Sequence, residues 1–165
     1  MFDASNEHIG EVKDILISLS TEREKDFPPV LGLVIRDRRT EKKMFIPSVA
    51  VHLWGQKMVL NDRIEKLETN IPASDEVVSL NDTILDKQIV DLQGMRVVRV
   101  NDLQIGLVQD KMSLIAIDVS TNGMLRRLGI SGRAINRVFK LNFLEWKNVR
   151  LVGNKLHLST SAKEL

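Results

Sequence analysis

The sequence predicts an all-β protein, mainly antiparallel, made of two consecutive small β-barrels. Three observations support this prediction: an aliphatic core composition, short β-branched runs bounded by turn-forming residues, and an internal repeat. Aromatic residues make up 4% of the 165-residue chain and tyrosine is absent, so Val, Ile and Leu must supply the core. This composition favours extended strands. The apolar fraction of 43% is enough to form a packed interior.

The predicted strands are short runs such as Val97-Val98-Arg99-Val100, separated by Gly, Asn, Asp and Pro. Most of the intervening segments are too short for crossover helices, so we expect antiparallel pairing. The longest exception follows Val119, where Met124, Leu125 and Leu128 have helical spacing before Gly129. This pattern predicts a short helical insertion in the second barrel.

Three blocks of sequence occur twice in the same order. Residues 3–17 align without a gap on residues 91–105, and the identical positions are Asp3 with Asp91, Val12 with Val100, Asp14 with Asp102 and Ile17 with Ile105. Residues 30–35 resemble residues 114–119, and Phe45 precedes Val51 as Phe143 precedes Val149. Together the blocks predict a duplicated unit of about 80 residues. The stretch 68–76 is rich in turn-forming residues, so we predict the domain boundary there, with domains 1–74 and 75–165.

The alternation of apolar residues slips by one position at the same place in each copy. Val12 gives way to Ile15 and Ile17, and Val100 gives way likewise to Leu103 and Ile105. One extra residue in a strand produces such a slip. We therefore predict β-bulges beside Asp14 and Asp102, each carboxylate accepting a nearby backbone N–H; metal ligation by these acids is the less favoured interpretation.

No catalytic pattern is found in the sequence. Cysteine is absent, which excludes disulfides and thiolate chemistry, and the three histidines are scattered. Neither a glycine-rich phosphate loop nor a nucleophile elbow occurs. We therefore expect a protein that is not an enzyme and that has no cofactor and no metal site. An enzyme of another kind would require a deep pocket with paired titratable residues.

The charge distribution is uneven along the chain. Residues 1–80 carry 11 Lys and Arg against 14 Asp and Glu, whereas residues 81–165 carry 13 against 8. A basic cluster without intervening acids consists of Arg126, Arg127, Arg133, Arg137 and Lys140. It is a candidate partner-binding face, with a solvated helix surface as the simpler alternative.

The second half of the chain resembles a known family. Residues 84–91 (ILDKQIVD), Gly94 and residues 96–103 (RVVRVNDL) are similar to the PRC-barrel segment at the N-terminus of bacterial proteins related to the magnesium transporter MgtE. Residues 123–129 (GMLRRLG) resemble a stretch that follows in that group. The similarity covers residues 81–152 and extends to residues 1–68 through the repeat. Each copy departs from the Ile-Pro-Trp-like strand of the family: Ser48 replaces the tryptophan in the first, and Glu145 replaces the proline in the second.

The resemblance implies a tandem PRC-barrel region whose C-terminal linker leads toward a helical domain and CBS domains that this chain lacks. The leading hypothesis is a cytoplasmic regulatory or assembly module of an MgtE-like magnesium transporter or CBS-domain protein, membrane-associated only through its parent. Its partners would be those neighbouring domains, another protein, or a second copy in a homodimer. The alternative is a ribosome- or RNA-associated domain that uses the basic cluster, although the few aromatic residues argue against nucleic-acid binding. No segment has 18 uninterrupted apolar residues, so membrane insertion is not expected.

Overall fold

The computed structural model describes residues 1–19, 26–64, 67, 70–91, 96–120 and 143–151. The strands are β1 (Gly10–Ser18), β2 (Val30–Asp37), β3 (Lys43–Pro47), β4 (Val51–Leu53), β5 (Val59–Leu60), β6 (Val77–Ser79), β7 (Gln88–Asp91), β8 (Arg96–Arg99), β9 (Asp102–Val108), β10 (Lys111–Asp118), β11 (Phe143–Glu145) and β12 (Val149–Leu151). Helix α1 spans Leu80–Thr83, and 3₁₀ turns span Ser48–Ala50 and Trp146–Asn148. The predicted helical insertion lies outside the described residues.

The strands form four sheets, ordered β3-β2-β1-β6, β11-β10-β9, β12-β7-β8 and β4-β5, and their strand pairs are antiparallel. The predicted all-β, mainly antiparallel class is therefore confirmed. The prediction of closed barrels is corrected, because the sheets of the described residues are open. After β3 and β11 a 3₁₀ turn redirects the chain, and the next short strand joins a different sheet.

The hydrogen-bond registers of the two halves agree with the predicted repeat. In the first half, Asp14 pairs with Val34 and Ile17 with Val30. In the second half, their aligned counterparts make the same pairs, Asp102 with Asp118 and Ile105 with Leu114. The third strand also matches, since Leu33 pairs with Ile46 as Ile117 pairs with Leu144. Each half therefore contains the same hairpin, third strand, 3₁₀ turn and short strand.

Two corresponding strand ends join the halves. Pro29 and Ser113 form an antiparallel bridge, and the Leu114 amide donates to the Pro28 carbonyl oxygen at 2.9 Å. The repeat alignment makes Pro29 and Ser113 equivalent positions. An antiparallel contact between equivalent residues is the relation that a two-fold axis produces, as in a C2 dimer interface. The two repeats therefore meet about a local pseudo-two-fold axis.

Strand β6 (Val77–Ser79) lies just after the predicted boundary between residues 74 and 75. It pairs with the C-terminal end of β1, with Val78 opposite Ile17 and Val77 opposite Ser18. A strand that leads into the second repeat thus completes the sheet of the first. The sheet connects the two halves through backbone hydrogen bonds.

Two large apolar clusters form the interior. The first lies within the first repeat and includes Leu33, Ile35 and Ile46, all at 0% exposure. The second contains residues of both repeats; its buried members are Ile17, Leu19, Val30, Val78, Leu80, Ile84, Ile89, Val100, Leu114, Ile117, Leu144, Trp146 and Val149. The core of the second repeat is therefore partly built by the end of β1, the start of β2 and β6. Among the described residues, the second copy does not enclose a core by itself.

The two repeats differ where β2 packs closely against β3. A Cβ placed on Gly32 would lie 2.2 Å from the Ile46 carbonyl oxygen and 2.5 Å from the Phe45 ring. The equivalent position in β10 is Ala116, which carries a Cβ and is 4% exposed. In the first repeat, β3 and the Phe45 ring thus occupy the space beside Gly32. In the second repeat, the methyl group of Ala116 fills the equivalent space.

Carboxylates cap two turns of the first repeat. Asp37 accepts hydrogen bonds from the amides of Arg39 and Thr40, both at 2.7 Å, in the turn between β2 and β3. The Thr40 amide is the main cause that lowers the Asp37 pKa, and it outweighs the opposing effect of burial. Burial raises the pKa of Asp3, but hydrogen bonds from Ser5 and Glu7 exceed this effect, so its pKa is also lowered. Both turns therefore favour the ionised carboxylates.

We expect Gly32→Ala to lower the free energy of unfolding by about 2 kcal/mol, because the added methyl group would overpack the contact with β3. Urea denaturation followed by circular dichroism measures the change. Ala116→Gly, at the equivalent position, is the control; it should cost about 1 kcal/mol or less, mainly through backbone entropy. Wild-type stability of Gly32→Ala would contradict the close approach of β2 and β3.

We also expect stability to fall as the pH is lowered below the ordinary pKa range of aspartate, about 4. A lowered folded-state pKa means that the unfolded chain binds protons first. The stabilising contribution is therefore complete above the unfolded pKa and is lost as the pH falls through the folded pKa. Urea midpoints between pH 6 and 3 test this, with Asp37→Asn as comparison. The variant should lose less stability over this interval than the wild type, and equal losses would rule out Asp37 as a contributor.

Candidate docking cleft

The basic candidate residues lie outside the described part of the chain. This applies to Arg126, Arg127, Arg133, Arg137 and Lys140. The structure therefore gives no position for the partner-binding face predicted from them.

Asp14 accepts hydrogen bonds from its own strand, from β6 and from helix α1. Its carboxylate accepts the amide of Ile15 at 2.7 Å and that of Asn81 at 2.9 Å, and the Ser79 hydroxyl donates to its other oxygen at 2.5 Å. Ser79 also caps α1 by accepting the Asp82 amide at 2.9 Å. Asp14 thus ties β1 to β6 and to the start of α1, which is a structural role.

Asp102 makes the equivalent local contact, since it accepts the Leu103 amide at 2.9 Å. The bulge pattern differs from the prediction, however. In the first repeat the register of β1 and β2 shifts between Val12 and Asp14, where the bulge was predicted. In the second repeat the strand is interrupted instead, because β8 ends at Arg99 and β9 begins at Asp102. The predicted bulge beside Asp102 is therefore corrected to a strand break.

A second irregularity is common to both repeats and lies on the partner strand. The pairing of β1 with β2 shifts between Leu16 and Ile17, so Leu31 is the extra residue. The pairing of β9 with β10 shifts between Leu114 and Ala116, so Ile115 is the extra residue. These positions are equivalent. In the first repeat the bulged residue lines the cleft described next.

An open cleft of about 680 Å³ lies where the two repeats meet. Its walls come from β2, the 3₁₀ turn after β3, β4 and the tip of the β9–β10 hairpin. The lining residues are Ser18, Pro29, Val30, Leu31, Ser48, Val49, Val51, Trp54, Leu107, Asp110, Lys111 and Met112. The cleft is thus adjacent to the Pro29–Ser113 bridge and is shared by both halves.

The cleft exposes apolar side chains from both repeats. Val49 is 83% exposed and Leu107 is 66% exposed, and these are the highest values among the large apolar residues of the described ranges. Trp54 and Met112 are half-buried beside them. Exposed apolar surface of this kind, bordered by polar residues, is typical of a protein-binding site.

Charged groups stand at one end of the cleft. Asp110 and Lys111 occupy the exposed hairpin tip, where Gln109 and Asp110 have positive φ values of 48° and 62°. Most other lining side chains are aliphatic or aromatic or carry a hydroxyl group. The arrangement can bury an apolar segment and orient it by polar contacts at the end, which is the chemistry of docking.

The histidines of the described residues do not converge on a site. His8 is half-buried and packs edge-to-face on Phe2, with ring centroids 5.1 Å apart, and His52 is exposed. No group of three or more His, Asp or Glu side chains that could hold a metal ion occurs in the described ranges. His157 lies outside them.

No protein-family profile, curated protein or solved structure shows a significant match to this chain. Among the helices of the described residues, none is both long enough and apolar enough to cross a membrane.

The sequence interpretation did not identify the cleft. Sequence pattern does not distinguish Val49 and Leu107 from other apolar residues, because their exposure depends on how the repeats pack together. The repeat alignment contains one signal that could have helped. Ser48 stands where the second copy has Trp146, so the first copy lacks a bulky side chain at this place. That difference leaves room beside the 3₁₀ turn.

We expect Asp14→Ala to destabilise the fold by about 1–3 kcal/mol, because two backbone amides and a hydroxyl lose their shared acceptor. Chemical denaturation measures the loss. Asp82→Ala is the control, since the exposed Asp82 carboxylate accepts a long 3.3 Å hydrogen bond from the Asn81 side chain. Its effect should be below about 0.5 kcal/mol. Equal effects of the two substitutions would contradict the role assigned to Asp14.

Proposed function

We propose that this chain is a non-enzymatic module that docks onto another protein through the cleft between its two repeats. The single observation that carries the proposal is the apolar cleft of about 680 Å³ with Val49 and Leu107 exposed on opposite repeats. Burying such side chains at an interface stabilises association through the hydrophobic effect. Aromatic and Met residues in the lining, Trp54 and Met112, are types enriched at protein interfaces.

The sequence resemblance supplies the kind of partner. Tandem PRC-barrel regions precede a helical domain and CBS domains in proteins related to MgtE, so we propose a cytoplasmic regulatory or assembly role beside such domains. The contact on the partner would be an apolar segment of the helical or CBS region. This proposal depends on the resemblance in residues 84–103 and 123–129, and on the cleft for its contact surface.

Calorimetry with a separately produced helical-plus-CBS region of an MgtE-related protein from the same organism tests the proposal. We expect binding by the native chain and at least about ten-fold weaker binding by Val49→Asp, because a charge would be buried in the interface. Val97→Asp is a matched control: Val97 is 58% exposed and does not line the cleft. The control should bind like the native chain.

Two outcomes would contradict the proposal. Absence of binding to the helical and CBS region would remove that partner. Binding that Val49→Asp and Val97→Asp weaken equally would remove the cleft as the contact surface. The folding of both variants is checked by circular dichroism.

A further inference from the structure

The first repeat shows how a short strand is bound at the junction of the two halves. Strand β6 pairs antiparallel with the end of β1, and the Leu19 amide donates to the Glu76 carbonyl oxygen at 3.0 Å. The side chain of Val78 is 3% exposed and belongs to the same buried cluster as Trp146 and Val149 of the second repeat. β6 is thus held by backbone bonds to one repeat and by apolar packing with the other.

The pseudo-two-fold axis relates the site that β6 occupies beside β1 to an equivalent site beside β9. There the end of β9 corresponds to the end of β1, so Leu107 corresponds to Leu19. Ser48 and Val51 of the first repeat correspond to Trp146 and Val149 of the second. Leu107, Ser48 and Val51 all line the open cleft. The cleft is therefore the symmetry-related counterpart of the space that β6 occupies.

Side-chain burial differs between the edge of β1, which β6 covers, and the equivalent edge of β9, as expected if the β9 edge lacks a strand. Leu16 is 5% exposed and Leu19 is 8% exposed beside β6. Their counterparts on β9 are Gln104, which is exposed, and Leu107, which is 66% exposed. Among the described strands, β9 pairs with β10 on one side only.

The direction of the backbone amides agrees with an open hydrogen-bonding edge. The Ser18 amide donates to Pro29 on the β2 side, whereas the Leu19 amide donates to Glu76 on the β6 side. Amides alternate between the two sides of a strand. The equivalent Leu107 amide, and that of Ile105 two residues earlier, are therefore directed to the outer side of β9. This stretch of the edge, residues 104–107, contains neither Lys nor Pro, the residues that commonly block strand addition.

We propose that a partner protein adds an extended strand antiparallel to the outer edge of β9 at residues 104–107, in the way that β6 adds to β1. The proposal deepens and rests on the docking function proposed above. The occupant has the chemistry of Val77-Val78-Ser79: a β-branched apolar side chain at the central position, directed into the cleft, and no charge on the paired residues. Backbone bonds supply affinity and the cleft supplies selectivity, as in β-augmentation.

A synthetic peptide with the sequence of residues 74–81, SDEVVSLN, is the probe, and the ¹⁵N-labelled full chain is the receptor. We expect amide resonance shifts and slowed deuterium exchange at Ile105 and Leu107. A peptide N-methylated at the residue equivalent to Val78 should bind about ten-fold more weakly, because that amide faces the edge strand in the β6 arrangement. N-methylation at the residue equivalent to Val77 is the control, since the Val77 amide donates to the Ser74 carbonyl within its own segment.

Substitutions in β9 of the protein test the same edge independently of the peptide modifications. Leu107→Pro removes the outward amide and leaves the inward bonds of β9 to β10, whereas Leu107→Ala keeps the amide and shortens the side chain. The alanine variant should bind the peptide at least about five-fold more tightly than the proline variant. The N-methylated peptides act on unmodified protein, so the test remains decisive if Leu107→Pro does not fold.

The outcomes separate this inference from the proposed function. Peptide shifts confined to other residues, or equal binding of the two N-methylated peptides, would overturn strand addition. If Val49→Asp weakens binding of the helical and CBS region while Leu107→Pro does not, docking stands and strand addition fails. If neither the peptide nor that region binds, both proposals fail. Concentration-dependent dimerisation of the chain through β9, detected by sedimentation, would replace the partner with a second copy and would also overturn the inference.

Discussion

The backbone bridge between Pro29 and Ser113 is the contact on which the arrangement of this protein depends. It joins equivalent residues of two copies of one strand unit, so the copies face each other about a local two-fold axis. The ends of β1 and β2 can then reach the core of the second repeat, where Ile17, Leu19 and Val30 are buried. A mainly aliphatic interior is divided between units that are too small to bury enough surface separately.

Symmetry at the bridge is broken by the connection between the repeats. The segment that leads from one copy to the next contains β6 and α1, and Asp14 fastens it to the first sheet through Ser79 and Asn81. One side of the junction is thereby filled, and the other side is the cleft. The candidate site follows from duplication and connectivity, and it needs no special residue at its centre.

Much of the strand arrangement could be predicted from the sequence, because the repeat carried both the strand positions and their register. The aligned residues Asp14 and Asp102 pair with equivalent residues of the neighbouring strand in their own repeat, and the same holds for Ile17 and Ile105. The sequence match extends further, since residues 54–60 (WGQKMVL) resemble residues 152–158 (VGNKLHL). The open sheets and the shared core could not be predicted in this way, because they depend on contacts between copies that alternation within one strand does not encode. The cleft could not be predicted for the same reason. The partner-binding face that the sequence does predict, the basic cluster around Arg126, lies outside the described residues.

The exchange of Trp146 for Ser48 between equivalent 3₁₀ turns has an evolutionary consequence. Trp146 is 3% exposed and contributes to a shared interior, so changes there disturb folding. Ser48 and the exposed Val49 border open space, so these two positions are under weaker packing constraint and can vary with little loss of stability. A duplicated fold can in this way keep one copy as scaffold while the corresponding surface of the other copy acquires new recognition properties.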